Sequence, residues 1–141
     1  MKNYSDLQGI DTRLELSIKL RPINQPNIWV KVNHDLIGYT GLSDSIQLDY
    51  QIGLFDNINI VIELYNKDYN NINETAVIID NITVDNIDII PKYDYLADYT
   101  NDHDNNNPTS YLGFNGKWTL TFDRPFYHWL HEHSGQGWLI G

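Results

Sequence analysis

Apolar and polar residues alternate one by one along several stretches of this chain. In the first stretch, leucine and isoleucine side chains from Leu14 to Leu20 alternate with charged and polar ones, and the pattern returns at 28–33, 46–52, 58–65 and 117–123. Successive side chains of a β-strand point to opposite faces, so each stretch predicts a half-buried strand. Several such strands at short spacing are typical of antiparallel sheets stacked face to face.

The stretch 76–90 repeats the alternation but contains a break. As a single strand it would place Asp80 on the same face as Ile78, Ile82 and Val84. A carboxylate on an inward face needs a partner or a β-bulge that changes the register, and we expect one of the two. The segment 84–87 then predicts a tight two-residue turn through Asp-Asn.

The C-terminal part of the chain changes character. Residues 124–135 predict one short helix, with Pro125 in its first turn and Gly135 as its stop. The polar segments 66–74 and 98–110 predict surface loops, and 91–99 predicts an irregular path.

Together these patterns predict an all-β protein, an antiparallel β-sandwich of the jelly-roll-like kind with one short C-terminal helix. We expect a single domain over residues 1–141. Its strands would lie within about 12–90 and 117–123, and residues 124–141 would form a docked helix and tail.

Composition and charge narrow the function. The chain has 141 residues, no cysteine and a net charge of −10, and 15 of its 19 acidic residues are aspartates. Disulfides, cysteine-ligated zinc and thiol nucleophiles are excluded. Nucleic acid is not an expected partner because phosphate binding needs a basic face. No apolar run is long enough for a membrane helix, so we expect no membrane partner.

Motifs for catalysis and metal binding are weak. His128, His131, Glu132 and His133 lack the spacing of a metalloprotease helix, and we expect them on a solvated face. Acidic loop residues such as Asp68 and Asp102 could offer oxygen ligands to calcium, but no EF-hand pattern is present. There is no nucleophile elbow and no phosphate-binding glycine loop. The sequence therefore predicts a protein that is not an enzyme and needs no cofactor. Calcium is the one ion that its acidic loops could bind.

The strand pattern resembles that of calcium-dependent, xylan-binding carbohydrate-binding modules. The resemblance lies in V-K-V-N at 30–33, I-N-I-V-I-E-L-Y-N-K-D-Y at 58–69 and V-I-I-D-N-I-T-V-D-N-I at 77–87. In that family an N-D-x-Y-like loop helps to hold the ion, and Asn66 and Asp68 fall on it. With Asp80 they make up the candidate calcium ligands, and Trp29, on the polar face of its strand, is the best exposed aromatic for a sugar.

A second resemblance is to small virion structural proteins of contractile-tailed bacteriophages, cyanobacterial ones among them. It lies in E-L-Y-N-K at 63–67, the strand pair at 78–89, G-F-N-G-K-W-T-L-T-F-D-R-P-F-Y-H-W-L-H-E at 113–132 and G-W-L-I at 137–140. It implies a virion location, synthesis in a host bacterial cytoplasm, and assembly with other virion proteins or with itself. The candidate assembly interface is aromatic and apolar, and consists of Trp118, Phe126, Tyr127, Trp129, Trp138, Leu139 and Ile140.

Two functions are therefore open at this point. The main hypothesis is a non-enzymatic virion structural protein, in the head decoration, neck or tail appendage, that assembles through its aromatic C-terminal segment. It could also touch a surface glycan. The alternative is a calcium-dependent carbohydrate-binding module.

Overall fold

Ten strands, one α-helix and a short 3₁₀ helix (Asp94–Leu96) account for most of the residues that the computed structural model describes, which are 13–53, 57–103, 110–123 and 125–134. The elements are β1 (Arg13–Ile23), β2 (Asn27–Val32), β3 (Asp35–Tyr39), β4 (Ile46–Gly53), β5 (Ile58–Tyr65), β6 (Ala76–Val84), β7 (Ile87–Ile90), β8 (Asp98–Asn101), β9 (Tyr111–Leu112), β10 (Gly116–Phe122) and α1 (Phe126–Ser134).

The strands form two antiparallel sheets. Sheet A has the order β4-β1-β6-β7, with β9 also paired to β6, and sheet B has the order β3-β2-β5-β10-β8. The chain crosses repeatedly between the two sheets, as in jelly-roll folds. The predicted antiparallel β-sandwich with one short C-terminal helix is confirmed.

The core lies between the sheets and follows the alternation in the sequence. On β1 the side chains of Leu14, Leu16, Ile18 and Leu20 are buried, while their neighbours face outward. The buried residues of β5 and β10 repeat this pattern from the opposite sheet. Burial of a leucine or isoleucine side chain stabilises the fold by about 1.5–3 kcal/mol, so this alternation supplies the main stabilisation.

Strand β6 contains one of the two features expected for Asp80, a β-bulge. Lys19 pairs with Asn81 but the next residue of β1, Leu20, pairs with Ile79, so Asp80 is an extra residue in β6. The expected change of register is confirmed: the bulge reverses the facing of the residues before it, so Asp80 does not share the inward face of Ile82 and Val84. Asp80 points outward, and its Oδ1 accepts a hydrogen bond from Nε of Arg21 at 3.1 Å.

The predicted turn after β6 is present. Asp85 and Asn86 both adopt left-handed backbone conformations, with φ of 48° and 64°, as a two-residue hairpin turn requires. Asp85 also ties this hairpin to β1, because its Oδ1 accepts a hydrogen bond from the Glu15 N–H at 2.9 Å.

Helix α1 packs its aromatic residues into the chain's own core. Phe126 and Trp129 are buried, and both rings meet Phe122 of β10 edge to face, with centroids 5.7 and 4.5 Å away. Tyr93 reaches Trp129 from the segment between β7 and β8. No helix in the described ranges is long and apolar enough to span a membrane.

The predicted assembly interface needs correction for this reason. Trp118, Phe126 and Trp129 are 0, 0 and 2% exposed, so a partner cannot reach them. Tyr127 is partly buried, and its hydroxyl donates to Oδ2 of Asp85 at 3.1 Å. The other predicted interface residues, Trp138, Leu139 and Ile140, lie outside the described residues, as does the predicted helix stop at Gly135.

Three strands were not predicted as separate elements. β3 carries no alternation, and β8 lies within segments predicted as loop or irregular path. β9 has only two residues, which pair with Val77 and Ile78 of β6. Strand β8 approaches β10 so closely that a Cβ built on Gly116 would lie 2.3 Å from the Thr100 carbonyl oxygen.

Substitution of Gly116 by alanine should therefore destabilise the fold. The added methyl group would overlap backbone atoms of β8, which cannot move aside as a flexible side chain can, and we expect a loss of about 2 kcal/mol or more in the free energy of unfolding. Urea denaturation followed by circular dichroism measures this. Gly38→Ala is the matched control, since its nearest neighbours lie 4.0 Å away, and equal stability of the two variants would contradict the close approach.

Candidate functional site

A groove of about 600 Å³ lies on the outer face of sheet A. Strands β4, β1 and β6 form it with the side chains that alternate with the core residues. The register arranges these side chains in rows across the three strands: Asp49, Ser17 and Thr83 in one row, Gln47, Lys19 and Asn81 in the next, and Gln51 beside Glu15 in a third. The groove is therefore lined mainly by groups that donate or accept hydrogen bonds, with Leu16 and Tyr50 as the apolar and aromatic exceptions.

Two oxygen atoms among these lining residues have no partner. Ser17 Oγ and Asn81 Oδ1 are inaccessible to solvent, and neither makes a hydrogen bond to any part of the chain that the structure describes. A buried polar atom without a partner costs roughly 1–3 kcal/mol. Such atoms are uncommon in folded proteins and call for an explanation. Both residues are partly exposed, so a change of rotamer would bring either oxygen to the groove, where a ligand hydroxyl would satisfy it.

Other side chains of the groove are held in place by neighbours. Nε2 of Gln47 donates to both carboxylate oxygens of Asp49, at 3.0 and 3.2 Å, and Nη1 of Arg13 donates to Oε1 of Gln51 at 2.7 Å. These contacts restrict side-chain rotation in the free protein. Less conformational entropy is then lost when a ligand binds.

A second polar cluster lies where the loop after β5 meets the ends of β8 and β10. The hydroxyl of Tyr69 donates to Oδ1 of Asp102 at 2.6 Å and accepts from the Asn115 N–H at 2.8 Å. Nδ1 of His103 lies 3.0 Å from the same Asp102 oxygen, and its ring stacks on Phe114 with centroids 4.2 Å apart.

Lys67 completes this cluster. Its side chain is almost fully buried, and its Nζ donates to Oε1 of Glu74 and to the Gly113 carbonyl oxygen. Its backbone N–H donates to Oδ1 of Asn115 at 2.8 Å. Because these groups satisfy one another, the cluster clamps the loop to the sandwich and offers a ligand few free groups.

The candidate calcium ligands do not come together. Asn66 and Asp68 lie after β5 of sheet B, where Oδ1 of Asp68 accepts a hydrogen bond from the Asn70 N–H at 2.9 Å. Asp80 lies on the outer face of sheet A, paired with Arg21. Across the described ranges, no three His, Asp or Glu side chains gather as a metal site. These residues therefore do not fit a calcium ion as one ligand set.

The histidines of α1 do not form a metal site either. His128 is exposed, and the ring of His133 contacts Trp129 of the same helix, with centroids 4.8 Å apart. Together with Glu132, the three histidines of α1 belong to the described residues, among which no metal-binding group of three is found.

Trp29 lies on the outer face of sheet B, as expected from its place in the alternation. It is half-buried, and Nζ of Lys117 lies 5.7 Å from the centre of its ring. The lysine covers part of the aromatic surface that a sugar would need.

The residues of the groove were not identified from the sequence. Glu15, Ser17 and Lys19 belong to the polar half of an alternating strand, and such a half usually faces solvent. The available indication was the unusual number of amide and hydroxyl side chains on the outward positions of three strands, including Gln47 and Asn81.

No family model and no curated protein sequence matches this chain. Two solved structures are similar. A structure described as "vCBM60 in complex with galactobiose" is 14% identical, covers 77% of this chain and 99% of its own, and has a TM-score of 0.49. A selenomethionine form of vCBM60, described in connection with two families of calcium-dependent carbohydrate binding modules, is 14% identical, covers 75% and 88%, and has a TM-score of 0.47. This similarity transfers neither a ligand nor a metal site to this chain.

The hydroxyls of Tyr69 and Tyr127 should lose their protons only at a pH above that of an ordinary tyrosine. Burial raises the pKa of Tyr69 to about 12, helped by its hydrogen bond to Asp102, and burial together with the charge of Asp85 raises that of Tyr127 to about 12. An unfolded tyrosine has a pKa near 10. The stabilisation linked to these phenols is therefore complete below about pH 10 and is lost as the pH rises towards 12.

Ultraviolet absorbance of phenolate measures this titration. Tyr69→Phe and Tyr127→Phe should each remove one late step and make the unfolding free energy fall less steeply between pH 10 and 12. Tyr95→Phe, at an exposed tyrosine, is the control and should leave the late steps in place. Phenolate formation at both positions near pH 10 would contradict the raised pKa values.

Proposed function

We propose that this protein is a non-enzymatic carbohydrate-binding module and that a glycan lies in the groove of sheet A. The observation that carries the proposal is the pair of buried, unpartnered oxygens, Ser17 Oγ and Asn81 Oδ1, in a groove lined by oriented polar side chains. The volume of about 600 Å³ lies in the range of small-molecule sites.

The chemistry of the lining favours a sugar over a peptide. A pyranose ring presents several hydroxyls, and each can donate and accept at the same time. The groove supplies acceptors at Asp49 and Asn81, a donor at Lys19, and groups of both kinds at Ser17 and Thr83. A peptide that adds as a strand needs free backbone groups at a sheet edge, whereas this groove lies over the side chains of adjacent, paired strands.

The proposal differs from the sequence-based alternative on calcium. Asn66, Asp68 and Asp80 are not among the groove residues, so we infer that groove binding does not depend on an ion held by them. We expect glycan binding to persist in EDTA.

The virion hypothesis remains a prediction. It relied on the C-terminal aromatic residues as an assembly surface, and Trp118, Phe126 and Trp129 are instead part of the chain's own core. No other described feature supports it.

Removal of the Ser17 hydroxyl should separate binding from stability. In Ser17→Ala the fold loses a buried oxygen without a partner, so we expect the free energy of unfolding to stay the same or to rise by about 1 kcal/mol. The same change should weaken glycan affinity at least about tenfold, the effect of one lost hydrogen bond of about 1.4 kcal/mol. A glycan array identifies ligands, and calorimetry measures their affinity.

Thr119→Ala is the matched control for this experiment. Thr119 is a partly buried hydroxyl residue on the outer face of sheet B, and its loss should leave binding unchanged. Absence of any retained glycan on the array, equal affinity of Ser17→Ala and the unchanged protein, or release of new reducing ends from a bound glycan would each refute the proposal.

Charge should make the groove prefer neutral over anionic glycans. Glu15 and Asp49 outnumber Lys19, and the whole chain carries −10. Repulsion between exposed like charges weakens with salt. We expect a uronic-acid glycan to bind more weakly than its neutral counterpart. The difference between the two affinities should become smaller at high salt and in the Asp49→Asn variant. Equal affinity for both glycans at low salt would contradict this assignment.

A further inference from the structure

Strand β3, one of the two outer strands of sheet B, exposes apolar residues. Leu36 is 66% exposed and Ile37 is 38% exposed, although sheet edges in natural proteins are usually protected by charged residues, proline or bulges. The outward residues of two other outer strands, β4 and β8, are polar: Gln47, Asp49, Gln51, Asp98 and Thr100. In the described part of the chain, β3 pairs only with β2.

The hairpin between β2 and β3 determines which backbone groups of β3 are free. Val32 and Asp35 close its two-residue turn, so they form a hydrogen-bonded pair, and such pairs alternate along an antiparallel ladder. Leu36 and Gly38 occupy the non-hydrogen-bonded positions, opposite Lys31 and Trp29. Their N–H and C=O groups therefore point away from β2.

We propose that two copies of this chain associate through β3, as antiparallel strands related by a two-fold axis at Ile37. This inference does not depend on the proposed glycan site. In this register Leu36 of each copy lies opposite Gly38 of the other, so the residues with free backbone groups pair with one another. Each of the two Leu36–Gly38 pairs forms two backbone hydrogen bonds. The four bonds join the B sheets of the two copies into one sheet.

The side chains of β3 are complementary in the same register. Gly38 has no side chain, and it leaves the flank of Trp29 uncovered beside it. Leu36 of the second copy would fill that space, while the two Ile37 side chains meet across the axis. Asp35 would face Tyr39 of the other copy, which keeps the two carboxylates apart. A parallel arrangement would place them side by side.

The affinity of the dimer depends on the small size of the interface and on the acidity of the chain. Five residues of each copy pair, so we expect a weak dimer of the transient class. Each copy carries −10, and this repulsion is screened by salt. The dimer should therefore strengthen as salt and protein concentration rise.

Sedimentation velocity of the full chain over a range of protein and salt concentrations tests the proposal. Leu36→Glu places a carboxylate opposite Lys31 of its own sheet, which preserves the fold, but removes the apolar contact to Gly38 of the second copy. We expect its dimer dissociation constant to rise at least about tenfold. Thr100→Glu is the matched control, since it adds the same charge to the opposite outer strand, facing Lys117, and should dimerise like the unchanged protein.

Amide hydrogen exchange supplies a second readout. The amides of Leu36 and Gly38 should exchange more slowly as the protein concentration rises, and Gly38→Pro, which removes one outward N–H, should weaken the dimer as well. A protein that stays monomeric at every concentration and salt level overturns the proposal. A dimer that Leu36→Glu and Thr100→Glu affect equally, or one without protection at Leu36 and Gly38, overturns it too.

Discussion

Strict alternation along β1 is the constraint on which the rest of the structure depends. This central strand of sheet A supplies Leu14, Leu16, Ile18 and Leu20 to the core, and its alternate residues Ser17 and Lys19 line the groove. A slip of one residue in its pairing would exchange the two sets. The stability of the core therefore also fixes which polar groups face the groove.

Hydrogen-bond satisfaction separates the two polar regions of the molecule. In the cluster around Lys67 and Tyr69, donors and acceptors satisfy one another, so its contribution is to hold a long loop against the sandwich. In the groove, Ser17 Oγ and Asn81 Oδ1 are left over. The hydroxyl of Tyr93 in the core also lacks a partner among the described residues, but the two groove oxygens belong to residues at an open surface.

The strands that alternate clearly could be predicted from the sequence, and so could the turn at Asp85 and Asn86, because both depend on local rules. β8 and β9 could not, since strands of four and two residues form only when distant partners such as β10 and β6 are already in place. The burial of Trp129 depends in the same way on Phe122 and Tyr93. The groove was missed because a polar strand face becomes a site only through the register between β4, β1 and β6, and that register joins residues far apart in the sequence.

The bulge at Asp80 carries a consequence for how this chain can vary in evolution. The Arg21–Asp80 ion pair is exposed and contributes little to stability, so many residues should be accepted at that position. Deletion of residue 80 should not be accepted. The extra residue lets Ile79 and Ile82 both enter the core while Asn81 turns to the groove. Related sequences should therefore vary freely in residue type at position 80 yet preserve the length of β6, because a deletion there would turn Asn81 away from the groove.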